Sequence, residues 1–489
     1  MSIPNETKVF FFGDLVVQTG FGRIANNITT RLHARGWQLF GASVLWDGYP
    51  PSPLPFYVRP LGGRDIWQGA AQMIAEVQPD VIVASQDFPY LTTMFHALRI
   101  DWSKHKFIGI TPIDGTPIHP QWLSMVDLAD AVMVISRFGV EAMRLSGKQV
   151  GLLHPGVDRN EFYPAEEGEV ATLREKMGWK NTRFVMGMFA MNQGRKCISS
   201  TVDAFREFAL DKPDAILYLD MDRASGAGWD IDALCMEIDP DRRVLRPTSP
   251  TGIRAGNENI FYREDAGRAG VVSLRERFLL CDVNSVVSHR EGFGLPLLEG
   301  MACKVPAMAL DWCSGSEICG GDTPKGILIR RIPYMEFGTW GGARDAFPDM
   351  QDCVNKLNLL YRDNDKRLEI ANRGYEWAIT QTWDVAADQF EDVLRKVVSA
   401  QRKERANEPA VTDYVIPTHL NDTRAPGDGL DPRAVLQQPA SRDALPVVAG
   451  DDVRSEPDGN LGERRLQPAV QPAGATPGRH PRGARRAAR

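Results

Sequence analysis

Short, uniformly apolar runs alternate with stretches of helical period along most of this chain. The first series comprises Val9 to Phe12, Val81 to Ala84, Phe107 to Ile110 and Val132 to Ile135. The second comprises Phe184 to Phe189, Ala215 to Leu219, Val283 to Val287, Val305 to Leu310 and Ile327 to Ile329. Strands without polar alternation are what a parallel sheet covered on both faces requires. Between the runs, Ile24, Ile28 and Leu32 recur at i, i+4 and i+8 with Arg23, Arg31 and Arg35 off that stripe, which predicts a helix packed on a sheet. The expected class is α/β, and two series of strands predict two doubly wound, Rossmann-like domains.

The seam between them is expected at His154-Pro155-Gly156-Val157-Asp158, followed by acidic Glu166 to Glu169, because Pro and Gly together interrupt both helix and strand. This assigns 1–160 to the first domain and 161–380 to the second. Beyond residue 400, Pro, Gly, Ala, Asp and Arg dominate without periodicity, and the tail 401–489 is expected to be disordered. Its end, Arg464 to Arg489, holds seven arginines and no acid, a composition suited to an acidic partner, nucleic acid or a membrane surface, or to plain solvation.

Composition narrows the classes. The 489 residues are 43% hydrophobic and 25% charged, enough apolar surface for two cores, and no run approaches the roughly 18 residues of a membrane span. No leader-like n-region or h-region opens the chain, so the expected location is cytoplasmic. The seven cysteines are scattered without a C-x-x-C pair, which predicts reduced thiols and no zinc site, even at Cys313 and Cys319. A net charge of -6 argues against a globally basic, nucleic-acid-coating surface.

Chemistry is expected where strands break into helices. After the first strand, Gly20 and Gly22 precede the helix of Ile24 and would leave N–H groups pointing at a ligand, or simply make a tight turn. Ala25 stands where a dinucleotide fingerprint needs its third glycine, so that motif fails. After Phe189 come Asn192, Arg195 and Lys196, two cations and an amide at a carboxyl strand edge where phosphate can be gripped. Asp220-Met221-Asp222 resembles a cation-binding D-x-D, but one short pair reads better as strand-end caps. The densest signal is Ser288 to Cys303, S-H-R-E-G-F-G-L-P-L-L-E-G-M-A-C, where Glu291 and Glu299 flank a Gly-x-Gly tip at a helix start. Two carboxylates there suit the vicinal hydroxyls of a hexose or a ribose; the alternative is a dipole-complementing Glu291 and a solvent-facing Glu299.

This block resembles the E-x7-E signature of the retaining, GT-B-fold glycosyltransferases of family 4, matched by Ser288, Glu291, Gly292, Phe293, Gly294, Leu295, Pro296, Glu299, Met301 and Ala302. Ile113-Asp114-Gly115, Ser136 to Gly139, His154 to Asp158, Cys281-Asp282 and Glu317 follow the family's order, so the match spans roughly residues 8 to 400. The resemblance implies two domains facing across a cleft, rejoined by a crossing helix at about 380–400, and closure about the seam. It implies transfer of a sugar from a UDP- or GDP-sugar with retention and without a metal or other cofactor. Glu291, Lys196, Arg195 and Asp114 would carry the catalytic roles; Gly20, Gly22, Asn192, Phe293, Gly294, Leu295 and Glu299 would bind the donor. The acceptor is left open among glycan, lipid-linked sugar, protein and modified DNA base, the tail being a candidate contact for an acidic partner. The chain departs from the family at Met191, where an arginine usually precedes the basic lysine by five residues, and it offers Asp114, with His119 five residues on, where the family often has a histidine. Two other readings stay open: a GT-B epimerase or phosphorylase, and a non-catalytic GT-B-like binding protein acting through its Arg-rich tail.

Overall fold

The structure, a computed structural model, describes residues 6–63, 65–251, 256–337 and 343–400. The tail 401–489 and the reading made of it lie outside these residues. The first domain runs β1 (Lys8–Gly13), α1 (Gly20–Ala34), β2 (Gln38–Ser43), β3 (Val58–Pro60), α2 (Ile66–Val77), β4 (Val81–Ser85), α3 (Phe88–Ala97), β5 (Lys106–Thr111), α4 (Pro120–Leu128), β6 (Ala131–Val134), α5 (Arg137–Leu145) and β7 (Gly151–Leu152). The second runs α6 (Glu169–Lys176), β8 (Phe184–Phe189), α7 (Ile198–Ala209), β9 (Ala215–Asp220), α8 (Ile231–Ile238), β10 (Ile260–Tyr262), α9 (Arg263–Arg268), α10 (Leu274–Leu279), β11 (Val283–Val286), α11 (Leu295–Ala302), β12 (Ala307–Leu310), α12 (Ser314–Cys319) and β13 (Ile327–Ile329). It continues through β14 (Arg331–Phe337), β15 (Arg344–Pro348), α13 (Met350–Arg362), α14 (Asn364–Ala378) and α15 (Trp383–Ser399).

Among the described residues the first sheet has the order β3-β2-β1-β4-β5-β6-β7 and the second β10-β9-β8-β11-β12-β13, parallel throughout. Phe10, Phe11 and Val9 of β1, like Phe184 to Met186 of β8, are buried because helices cover both faces, which is why these strands read as continuous apolar runs. In α1, Ile24, Ile28 and Leu32 form the buried stripe. Two doubly wound domains of the GT-B type result. No described helix is long and apolar enough to cross a membrane.

Some of the shorter and less apolar strands escaped the pattern. Strands β2, β3 and β10 were not anticipated: β2 carries Gln38 and Gly41, β3 ends on Pro60 at the sheet edge, and β10 has three residues, so their neighbours' ladders define them. The antiparallel β14–β15 hairpin is an addition to the second domain.

The chain returns to the first domain through α15. Its stripe Trp383, Ala386, Ala387, Phe390, Leu394 and Val397 is buried, with Phe390 against Phe11 at 5.8 Å between ring centroids. Arg31 reaches Asp384 at 2.8 Å, and Arg35 reaches Asp388 and Glu391, each at 2.7 Å. Buried Lys106 donates to the carbonyls of Val397 at 2.5 Å, Val398 at 3.0 Å and Ala400 at 2.5 Å, a cation on the negative end of the helix. The outgoing and returning segments touch at the seam, where Val157 N–H donates to Gln381 O at 2.8 Å.

Phe390→Ala should cost about 3–5 kcal/mol, the range for emptying a buried aromatic site. Urea unfolding measures it, and a loss below about 1 kcal/mol would mean that α15 is not integral to the first domain's core.

Candidate active site

Doubly wound sheets open a crevice where strand order reverses, because connections on either side leave in opposite directions. The reversal lies between β8 and β11 in the second sheet and between β1 and β4 in the first. The loops after β8 and β11 carry Arg195, Lys196 and Glu291, which the sequence singled out from positions 95 and 96 residues apart.

Lys196 ends a short 3-10 turn, Gly194–Lys196, and its Nζ donates to Glu291 Oε2 at 2.5 Å. Ser288 Oγ donates to the same oxygen at 3.1 Å, and Ser314 Oγ to the Glu291 carbonyl at 2.7 Å. Arg195 Nη1 donates to Arg290 O at 3.2 Å and stands 3.9 Å from the Glu291 carboxylate. His289 N–H donates to Arg195 O at 2.9 Å, tying the loops together. Burial would push Glu291 up, but Lys196, Arg195 and Ser288 outweigh it and hold its pKa below the ordinary value. Lys196 is held low by burial and by Arg195, against the pull of Glu291. Both shifts fit a spot of net positive potential, suited to an anion.

At the tip of this crevice, Gly294 caps α11 with φ +98°, a conformation that favours glycine, and no side chain caps the helix. The amides of the Phe293-Gly294-Leu295 tip therefore meet whatever enters. Only the backbone of Phe293 is available, because its ring is buried against His154 at 4.8 Å between centroids. Leu295 packs toward the first domain, with Cδ1 4.0 Å from the Cβ position at Gly20. Gly20 is exposed at the facing edge, whereas Gly22 serves the turn: a Cβ there would lie 1.9 Å from Val17 O.

Glu299 is 4% exposed, so the solvent-facing alternative does not hold. Its carboxylate pairs across the cleft with Arg23 of α1, which also lies 3.9 Å from Glu161. Asn192 is expected at the donor, yet its side-chain amide is taken up within its own domain, donating to Asp222 O at 3.1 Å and Trp229 O at 2.7 Å and accepting from Trp229 N–H at 2.9 Å. Met191 is 62% exposed. Asp220 accepts from Tyr218 at 2.9 Å and Arg277 at 2.5 Å, and Asp222 pairs with Arg263, so the D-x-D is arginine-bound; no cluster of three metal-ligating side chains occurs among the described residues.

The facing wall belongs to the first domain. Asp114 follows β5; its carbonyl accepts from Cys313 Sγ at 2.9 Å and its carboxylate lies 3.8 Å from Arg290, which Asp345 of β15 holds at 2.5 Å. His119 packs on Trp122, with ring centroids 5.6 Å apart. Two side chains were not foreseen as site residues. His154, in the seam motif, sits with Nε2 3.4 Å from Glu317 Oε1, and Glu317 also accepts the Phe138 N–H at 3.2 Å. Asp87, at the β1/β4 reversal, was visible only as part of an aromatic loop; burial and the charge of Asp114, against Arg195, raise its pKa to about 6.

No family model matches the chain. Among curated proteins it is 26% identical over 279 residues to a D-inositol 3-phosphate glycosyltransferase of Stackebrandtia nassauensis, covering 54% of this chain and 53% of that one. A protein of the same name from Actinosynnema mirum is 27% identical over 298 residues, 56% of this chain and 61% of its own. The chain thus spans only about half to three-fifths of the length of these relatives. Among solved structures, sucrose-phosphate synthase from Thermosynechococcus elongatus superimposes with a TM-score of 0.60 at 16% identity, covering 81% of this chain and all of that one. Anabaena HepE, solved with UDP and glucose, gives 0.57 at 16% identity over 80% of this chain and 99% of its own. By fold the chain is a GT-B protein. The curated relatives that it resembles are named glycosyltransferases.

Glu291→Gln should destabilise the fold by about 3 kcal/mol at neutral pH, because Lys196 would lose its buried counter-charge. A carboxylate with a depressed pKa stabilises above its unfolded pKa and loses that contribution as pH falls through the folded one. The gap should therefore narrow below the ordinary Glu value of 4.5. Urea midpoints of parent and variant between about pH 7 and about pH 3 test this; equal midpoints at neutral pH would refute it.

Proposed function

We propose that this chain is a retaining glycosyltransferase that moves a hexosyl group from a UDP- or GDP-sugar to an acceptor hydroxyl without a metal ion. The observation that carries the reading is the Lys196–Glu291 pair, with Arg195 beside it, at the uncapped tip of α11. A departing nucleoside diphosphate gains negative charge as its bond to the anomeric carbon breaks. Fixed cations and helix amides stabilise that charge without reorganising, the role a divalent cation would otherwise fill. Glu291 would take sugar hydroxyls. Glu299 would take the ribose diol once Arg23 yields it. Retention follows if the acceptor oxygen bonds to the anomeric carbon from the face the diphosphate leaves, its proton passing to the departing phosphate oxygen. The relatives' names point to a hydroxylated acceptor, D-inositol 3-phosphate in their case, and HepE was solved with UDP and glucose; both are consistent with this reading.

Incubation with a panel of UDP- and GDP-sugars should release nucleoside diphosphate, unaffected by EDTA, with the donor's anomeric configuration kept in the product by NMR. Lys196→Met should lower kcat by about 100- to 1,000-fold. Met191, exposed where a phosphate-gripping arginine is expected, favours the non-catalytic alternative; donor binding without turnover on any acceptor would select it.

A further inference from the structure

The edge of the first sheet facing the cations carries a small pocket of about 40 Å³, lined by Asp87, Phe88, Asp114, Pro117, Trp122 and Arg290 among others. Asp87 occupies the N-cap position of α3 but does not cap it. The second helical residue is Pro89, which has no N–H to offer, and the Asp87 carboxylate makes no hydrogen bond among the described residues. An aspartate that caps nothing, set at the strand-order reversal and lining a pocket, is aimed at a ligand rather than at its own helix.

The pocket's size and lining define what fits. A water-sized group needs roughly 10–15 Å³ of such space, so the pocket admits a few hydroxyl-sized groups and not a whole ring. The ring itself would rest at the mouth on half-buried Trp122 and exposed Pro117, and the Trp122 indole is braced by Phe88 at 6.3 Å between centroids. Flat apolar faces beside carboxylates are a surface for C–H and O–H groups together. The charges around the hydroxyl site are chiefly negative. Asp14 and Asp114 both act on Asp87, and Arg290 is occupied by Asp345 at 2.5 Å. Arg195 is the cation that also faces it, from the second domain. A phosphate at the mouth would meet like charge.

Resting on the glycosyltransferase reading, we propose that this pocket is the acceptor site and that Asp87 binds one hydroxyl of an uncharged, polyhydroxylated ring, excluding phosphorylated rings.

Saturation-transfer NMR on the full chain with UDP present tests this with four probes: myo-inositol, methyl α-glucoside, myo-inositol 1-phosphate and glucose 6-phosphate. The neutral rings should bind at least about tenfold more tightly than the phosphorylated ones. Asp87→Ala and Trp122→Ala should each weaken the neutral rings by about tenfold, and Asp87→Asn should narrow the preference for neutral over phosphorylated rings. That ratio separates recognition from a loss of folding, which thermal melts of each variant monitor. Equal or tighter binding of the phosphorylated probes, neutral binding indifferent to Asp87→Ala, or no ring bound while UDP binds would overturn the assignment. If neither UDP nor any nucleotide sugar binds, the glycosyltransferase reading fails first, and visibly so.

Discussion

Everything at this site depends on where each parallel sheet reverses its winding. At β8/β11 the connections diverge and leave a crevice that no helix fills, and the same happens at β1/β4. Side chains from distant parts of the chain meet there. Lys196 and Glu291 do so from adjacent strand ends, and Asp14 and Asp87 stand at the opposite reversal. The seam brings the two edges face to face, because the outgoing segment at Val157 and the returning one at Gln381 are hydrogen-bonded.

The two edges carry opposite electrostatic character. Against its burial, Lys196 and Arg195 hold the Glu291 carboxyl below its ordinary value, which marks the second domain's edge as positive. On the first domain's edge burial raises Asp14, and burial together with the neighbouring carboxylates Asp114 and Asp14 raises Asp87. Between them run cross-domain contacts: Arg23 on Glu299, Phe138 N–H on Glu317, His154 on Phe293, and Arg344 N–H on Thr116 O at 2.9 Å. These contacts bridge the two domains across the cleft. The hairpin β14–β15 fixes Arg290 through Asp345, and so sets the position of a cation beside Asp114.

Much of this was legible from residues alone. The continuous apolar runs marked the central strands because burial on both faces leaves no room for alternation. The E-G-F-G-L-P block located the helix tip, since a left-handed Gly294 and an uncapped first turn are local properties. What escaped was set by neighbours. Strand β3, ending in Pro60, exists because β2 offers it a ladder. Asn192 looked like a ligand contact beside two cations, but the loop around Trp229 folds back onto it. Asp220-Met221-Asp222 kept its carboxylates for Arg277 and Arg263.

The sequence by itself determined the α/β class and the two doubly wound domains, because hydrophobic period and turn chemistry are short-range. Only the tertiary structure decided which charge each residue meets. Glu299 faces Arg23 from 276 residues away, and Asp87 turned from a loop aspartate into an uncapped carboxylate lining a pocket. Electrostatic partners and burial are properties of three-dimensional neighbours, and a one-dimensional pattern carries no distance between them.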